Sequence, residues 1–155
     1  MVRAAYSYRD DPAVPKFPDD RPIIVFDGYC VLCSGWVSFI LRHDRRATYR
    51  LLPAQSPIGH PLYVHYGLDP QNFETYILIE RGVAWFKSQA TLRMTQGLVN
   101  QGLGLPWSLA AILRVVPSPW LDRLYGVVAR NRFRLFGKRT TCFAPDPRHD
   151  DRFLR

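Results

Sequence analysis

The sequence predicts an α/β fold with a mixed central sheet, on three observations: a β-α-β unit near the start, a tight hairpin in the middle, and helices after it. The first unit begins with Ile23-Ile24-Val25-Phe26, an apolar β-prone run that stops at the turn signal Asp27-Gly28. A helix follows. Trp36, Phe39, Ile40 and His43, with Val37 and Leu41 alongside, recur at the three-and-four spacing of a buried helical face. Ser34, Ser38, Arg42 and Arg45 collect on the opposite, wet face. Asp44-Arg45-Arg46 ends this helix, and residues 49–52 form a second short strand closed by Pro53. Two strands joined through one helix in so short a span are parallel, with a right-handed crossover.

Residues 56–66 read as a weaker helix, interrupted by Gly59 and Pro61, with Gly67 and Pro70 marking its exit. Residues 75–80 and 83–87 flank Arg81-Gly82, which is the pattern of a β-hairpin with a tight glycine-containing turn. Ser88 is the expected N-cap of a helix over 89–96. Gly97, Gly102, Gly104 and Pro106 then read as a loop before a helix over about 107–116. Pro117-Ser118-Pro119 separates it from a last helix, where Leu121, Leu124, Tyr125, Val128 and Leu135 mark the apolar stripe and Arg123, Arg130 and Arg134 lie away from it. The order β-α-β-α-β-β-α is a thioredoxin-like three-layer layout followed by an additional C-terminal helical section. Residues 1–20 are expected to be a flexible leader, because Asp10, Asp11, Pro12, Pro15, Lys16, Pro18, Asp19 and Asp20 bring breakers and charge without apolar periodicity. A single domain over 21–147 and a tail over 148–155 complete the expected organisation.

With 155 residues, 47% of them hydrophobic and 14% aromatic, the chain can bury one proper core. No early stretch has the basic start, apolar centre and small-residue cleavage site of a secretory signal, so the expected location is cytoplasmic. The most hydrophobic run of the second half, 105–113, is broken by Arg114, Pro117 and Pro119, short of the roughly twenty residues of a membrane span. The 21 Lys and Arg against 13 Asp and Glu give a net charge of +8. That balance suits an acidic protein or an anionic membrane surface at which the chain sits peripherally, or it serves solubility alone; nucleic acid is not favoured.

Three cysteines are too few, and too odd a number, for a disulfide-stapled scaffold; a close pair in a reducing compartment points to catalysis or metal. Cys30 and Cys33 stand three apart at the start of the first helix. There the unpaired backbone N–H groups and partial positive charge favour a thiolate, the reactive form of the thiol. Cys30, nearer the helix start and the more exposed, is the expected attacking thiolate, and Cys33, one turn inside, the resolving one. An inert buried pair is the bland alternative. Zinc is another, held by Cys30, Cys33, Cys142 and one of His43, His60, His65 or His149, but the chain has no second closely spaced ligand pair. The expectation is therefore no metal and no cofactor. Asp27 either shapes the turn and caps the helix or relays a proton from Cys33, which would need burial to raise its pKa. Gly28 is an accessory residue, supplying a tight backbone with positive φ. Cys142 is the second accessory candidate: Lys138 and Arg139 nearby would lower its pKa, and otherwise it is a half-buried loop thiol. Arg130, Arg132, Arg134, Lys138 and Arg139, interleaved with Phe133 and Phe136, form either an anion-binding patch or a solvated helix face.

Residues 27–37, with 129–139 and Cys142 late in the chain, resemble the DCC family of predicted thiol-disulfide oxidoreductases over about residues 23–147. The family's DxxCxxC motif maps onto Asp27, Cys30 and Cys33. The resemblance implies a thioredoxin-like fold and dithiol-disulfide activity toward a protein or small-molecule partner. One departure from thioredoxins stands out: they place a cis-proline just before the strand facing the sulfurs, whereas here Asn72-Phe73-Glu74-Thr75 precedes that strand and Pro70 lies five residues early. Two functions follow as expectations. The first is a thiol-disulfide oxidoreductase working through Cys30 and Cys33. The second is a non-catalytic binding module with structural or zinc-bound cysteines and a basic docking surface.

Overall fold

The computed structural model describes residues 4–104, 115–144 and 146–154. The helix expected over 107–116 and the apolar run 105–113 fall outside them, apart from residues 115 and 116. In chain order the elements are β1 (Ile23–Phe26), α1 (Val31–His43), β2 (Arg50–Pro53), α2 (Gly59–His65), β3 (Ile77–Glu80), β4 (Val83–Phe86), α3 (Lys87–Val99) and α4 (Ser118–Phe136). Short 3-10 turns lie at Ser7–Asp10 and Pro147–Arg152.

The sheet runs β2-β1-β3-β4, with β1 parallel to β2 and antiparallel to β3, and β3 antiparallel to β4. All four residues of β1 are buried because helices cover both faces of the sheet. Alternation along the strand decides which layer each side chain enters. Ile23 and Val25 pack with Leu62 and Tyr63 of α2 and with Ile77 and Ile79. Ile24 and Phe26 pack on the other face with Val37 and Ile40 of α1 and Ala90, Met94 and Leu98 of α3. This is the three-layer α/β arrangement of a thioredoxin-like fold, and α4, packed against α3 and α1, is the added helical section. Arg81 and Gly82 both take positive φ, 50° and 76°, as a two-residue hairpin of right-handed twist requires.

Several local expectations are corrected. α3 begins at Lys87 with no side-chain cap, and Ser88 instead donates to Asp122 of α4. Ser34, expected on the wet face of α1, is buried, one turn before the core residue Val37. Gly59 and Pro61 do not interrupt α2 but form its first turn, where Pro needs no partner for its missing N–H and Gly59 donates to Ser56 Oγ at 3.0 Å. Gly97 lies within α3, where a Cβ would stand 1.9 Å from the Tyr49 hydroxyl.

The expected leader and tail are both packed. Tyr8 and Val14 enter the core beside α2, and the Tyr6 N–H donates to the Gly82 carbonyl at 2.8 Å. Three of the acidic residues read as breakers have partners: Asp11 lies 2.6 Å from His65, whose other ring nitrogen is 2.9 Å from Ser7 Oγ, Asp19 accepts from Tyr8 and Arg9, and Asp20 pairs with Arg21 and Arg50. At the other end Arg152 is buried against Asp44 and donates to the Tyr49 carbonyl at 2.9 Å. Phe153 and Leu154 are buried too, and the Leu154 N–H reaches the Leu51 carbonyl at 2.9 Å. Burying side chains of this size is worth about 2 kcal/mol each, enough to hold a short terminal segment.

Candidate active site

The turn after β1 brings Asp27, Gly28 and Tyr29 to the start of α1, and Cys30 is the residue that caps it. Cys30 has an extended backbone, φ −81° and ψ 122°, and its Sγ accepts the Cys33 N–H at 3.3 Å. A sulfur thus does the work usually done by a Ser, Thr or Asp oxygen, and negative charge on it is favoured by the otherwise orphaned N–H and the helix dipole. The two cysteines are free thiols. Their pKa values separate. Hydrogen bonding from the Cys33 thiol is the largest influence on Cys30 and, with the Cys33 N–H and the Arg132 charge, outweighs burial and Asp27 to bring it down to about 7. Cys33 moves up, through that same hydrogen bond, burial and the neighbouring Cys30 charge, against weaker opposition from Tyr76 and Arg132.

The expectation that Cys30 is the more exposed sulfur is overturned: Cys30 has 0% relative exposure and Cys33 has 7%. The reason is a strap formed by residues 137–143. Gly137, at φ 90°, turns the chain out of α4, and Lys138 then pairs with Cys30 in an antiparallel bridge. The Arg139 N–H donates to the Tyr29 carbonyl at 2.7 Å and the Phe143 N–H to the Gly28 carbonyl at 2.9 Å.

Asp27 is buried and does not cap α1. Its Oδ1 accepts from the Tyr29 N–H at 3.0 Å and from Gln55 Nε2 at 2.6 Å, and its Oδ2 accepts from Arg132 at 3.0 Å. Arg132, grouped in the sequence with the exposed cations, is turned inward and is 2% exposed. It also donates to the Asn72 and Ala129 carbonyls, while its Nε is buried with no hydrogen-bond partner. Burial opposes the Arg132 charge, but the Cys33 and Asp27 charges outweigh it and raise its pKa. Arg130, Arg134, Lys138 and Arg139 are exposed as expected of a surface patch.

Gly28 does not have positive φ. It is needed for a close approach instead: a Cβ there would lie 2.4 Å from Cys142 Sγ and 3.3 Å from Gln55 Oε1. Cys142 therefore sits against the motif, but its pKa is raised, because burial and the Asp27 charge outweigh Arg139. The lowering expected from its cationic neighbours is not found. Among the described residues no group of three or more His, Cys, Asp and Glu is placed to hold a metal ion. His43 and His65 have other partners: His43 lies 2.8 Å from the Phe39 carbonyl and His65 between Ser7 and Asp11.

Three contributors escape a reading of the sequence by motif alone. Gln55 bridges Asp27 and the Gly28 N–H, which donates to its Oε1 at 3.0 Å. Parallel pairing of Phe26 with Pro53, continued by two residues, brings residue 55 opposite residue 28 and next to Asp27, so the register is the signal for Gln55. Tyr76 donates from its hydroxyl to the Cys33 carbonyl at 3.1 Å, and Tyr125 of α4 accepts the Tyr76 N–H at 3.2 Å. Thr75 and Tyr76 thus stand where thioredoxins have the cis-proline segment, and no cis peptide bond occurs among the described residues.

A thioredoxin-like sheet with a buried dithiol at the head of its first helix defines the class of protein. The family model of DCC1-like thiol-disulfide oxidoreductases matches residues 24–138, and the chain belongs to that family. It is 34% identical over 132 residues to the uncharacterized protein YuxK of Bacillus subtilis, covering 85% of this chain and 93% of that one. It is also 36% identical over 125 residues to a chloroplastic DCC family protein of Arabidopsis thaliana, covering 80% and 70% of the two chains. No solved structure matches it.

Proposed function

We propose that this protein exchanges a dithiol for a disulfide through Cys30 and Cys33. The observation that carries the reading is geometric: Cys30 Sγ caps α1 and accepts the Cys33 N–H at 3.3 Å, an arrangement that lowers the Cys30 pKa and raises that of Cys33 beside it. The Cys30 thiolate attacks one sulfur of a substrate disulfide, forming a mixed disulfide and releasing one substrate thiolate. Cys33 then loses its proton and attacks Cys30 Sγ. A Cys30–Cys33 disulfide forms, the second substrate thiolate leaves, and two electrons have passed to the substrate. The reverse sequence oxidises a substrate dithiol. Arg132 supports negative charge at both sulfurs, and Asp27, with Gln55, fixes the guanidinium and the turn. The substrate is a protein or small-molecule disulfide, and cysteine usage fits a reducing compartment such as the cytoplasm.

Alkylation mass spectrometry across defined redox buffers tests this. Cys30 and Cys33 are expected to titrate together as one two-electron couple, and Cys30→Ser to abolish exchange on a generic disulfide. Independent titration of the two thiols, or full exchange by Cys30→Ser, would overturn it.

A further inference from the structure

α4 has three differently built sides along its 19 residues. The inward side carries Tyr125, Val128, Ala129 and Arg132, which meet the rest of the protein. A second side is apolar yet exposed: Trp120, Leu124, Val127 and Leu135 recur at helical spacing and are 65%, 64%, 51% and 63% exposed. Arg123, Arg130 and Arg134 form an exposed row directly beside this stripe, and Lys138 and Arg139, in the strap that follows the helix, are exposed as well. From residue 123 to 144 the chain has no Asp or Glu. An apolar groove of about 330 Å³ adjoins the stripe between α1, α3 and α4. Leu124, Tyr125 and Val128 of α4 and Leu92 of α3 line it together with Trp36 and Leu32 of α1, the latter between the two cysteines in sequence.

An apolar stripe flanked on one side by arginines alone matches the water–lipid interface, where the apolar side chains enter the acyl boundary and the arginines meet headgroup phosphates. We propose that α4 docks the protein on the surface of an anionic lipid bilayer, lying in the plane of the interface with the groove and the cysteine pair facing the membrane. The choice of occupant rests on charge complementarity: the net charge of +8 and the absence of any acidic residue from 123 to 144 both favour a negative partner. The length of the row favours an extended surface over a small acidic site. No helix among the described residues is long and apolar enough to cross the membrane.

The test is flotation of the full chain with vesicles of phosphatidylcholine alone or mixed with phosphatidylglycerol. The protein is expected to float with the anionic vesicles only, and to be released by salt. Replacing Arg123, Arg130 and Arg134 together by Gln is expected to weaken partitioning by about a hundredfold. Leu124→Ser with Leu135→Ser should weaken it as well, each variant retaining the wild-type circular dichroism. Absence of wild-type binding to anionic vesicles at low salt would overturn the proposal. So would equal binding by the arginine variant. Concentration-dependent dimerisation abolished by the leucine changes, without vesicle binding, would overturn it in favour of a protein interface. Cys30→Ser with Cys33→Ser is expected to bind vesicles like the wild type, so the result stands apart from any failure of the redox reading.

Discussion

Arg132 and Asp27, 105 residues apart in the sequence, meet at 3.0 Å in the interior, each 3% exposed at its side chain. The last long helix is thereby tied to the turn that carries the cysteines. Removing one member leaves a buried charge without its partner, which costs about 3–5 kcal/mol. Asp27→Asn and Arg132→Met are each expected to lower stability to urea by about 3 kcal/mol, and the double variant by clearly less than the sum. Additive losses would show that the two side chains act separately.

Cys30 should reveal its charge in its alkylation rate. An unperturbed thiol ionises near pH 8.5, so a folded-state value of about 7 moves the half-maximal rate down by more than one pH unit. Below that pH the thiol is protonated and slow; above it the rate levels off while an ordinary thiol is still rising. Arg132→Met removes a charge that favours the thiolate and is expected to move the midpoint up. Arg132→Lys, which keeps the charge, should restore most of the shift. A wild-type midpoint at the ordinary thiol value would refute this account of the site.

Gly28→Ala places a methyl group against Cys142 Sγ. The strap must give way, at about 1–2 kcal/mol, and Cys142 should become faster to alkylate. Adding Cys142→Ala to Gly28→Ala is expected to recover most of the lost stability. If it recovers none, the strain lies elsewhere, with Gln55 the next neighbour.

The strap also controls reach. Phe143 stacks on Phe153 and meets Phe26 edge-on, so its ring anchors the segment whose N–H groups bind Gly28 and Tyr29. Phe143→Ala is expected to speed modification of Cys30 several-fold with its pH midpoint unchanged. Stopped-flow labelling separates the two quantities. A moved midpoint at constant plateau rate would count against a purely steric screen.

Much of this arrangement is legible in the sequence because it is local. The β1-α1-β2 unit and the Arg81-Gly82 hairpin follow from apolar spacing and turn chemistry within a few residues. The position of Arg132 is not local. On a helix with cations on several sides, an inward arginine looks like its solvated neighbours until the partner carboxylate is known. A signal exists: Arg132 stands four residues after Val128 and seven after Tyr125, on the inward face, and Asp27 closes an otherwise apolar strand. The ends of the chain mislead for a similar reason, since Asp11 reads as a breaker until His65 is seen beside it, and Arg152 as a tail residue until Asp44 is.

The residues that close the chain have a further consequence. β2 is one of the two edge strands of the sheet, and Phe153 runs parallel to it at Leu51, with the Leu154 N–H on the Leu51 carbonyl. Two residues thereby occupy hydrogen-bonding positions that a strand from another molecule would otherwise find open. Truncation after Arg152 is expected to leave the dithiol site in place while promoting self-association, visible as larger species in light scattering. On this account residues 153 and 154 guard the β2 edge against strand-by-strand aggregation, remote from the sulfur chemistry.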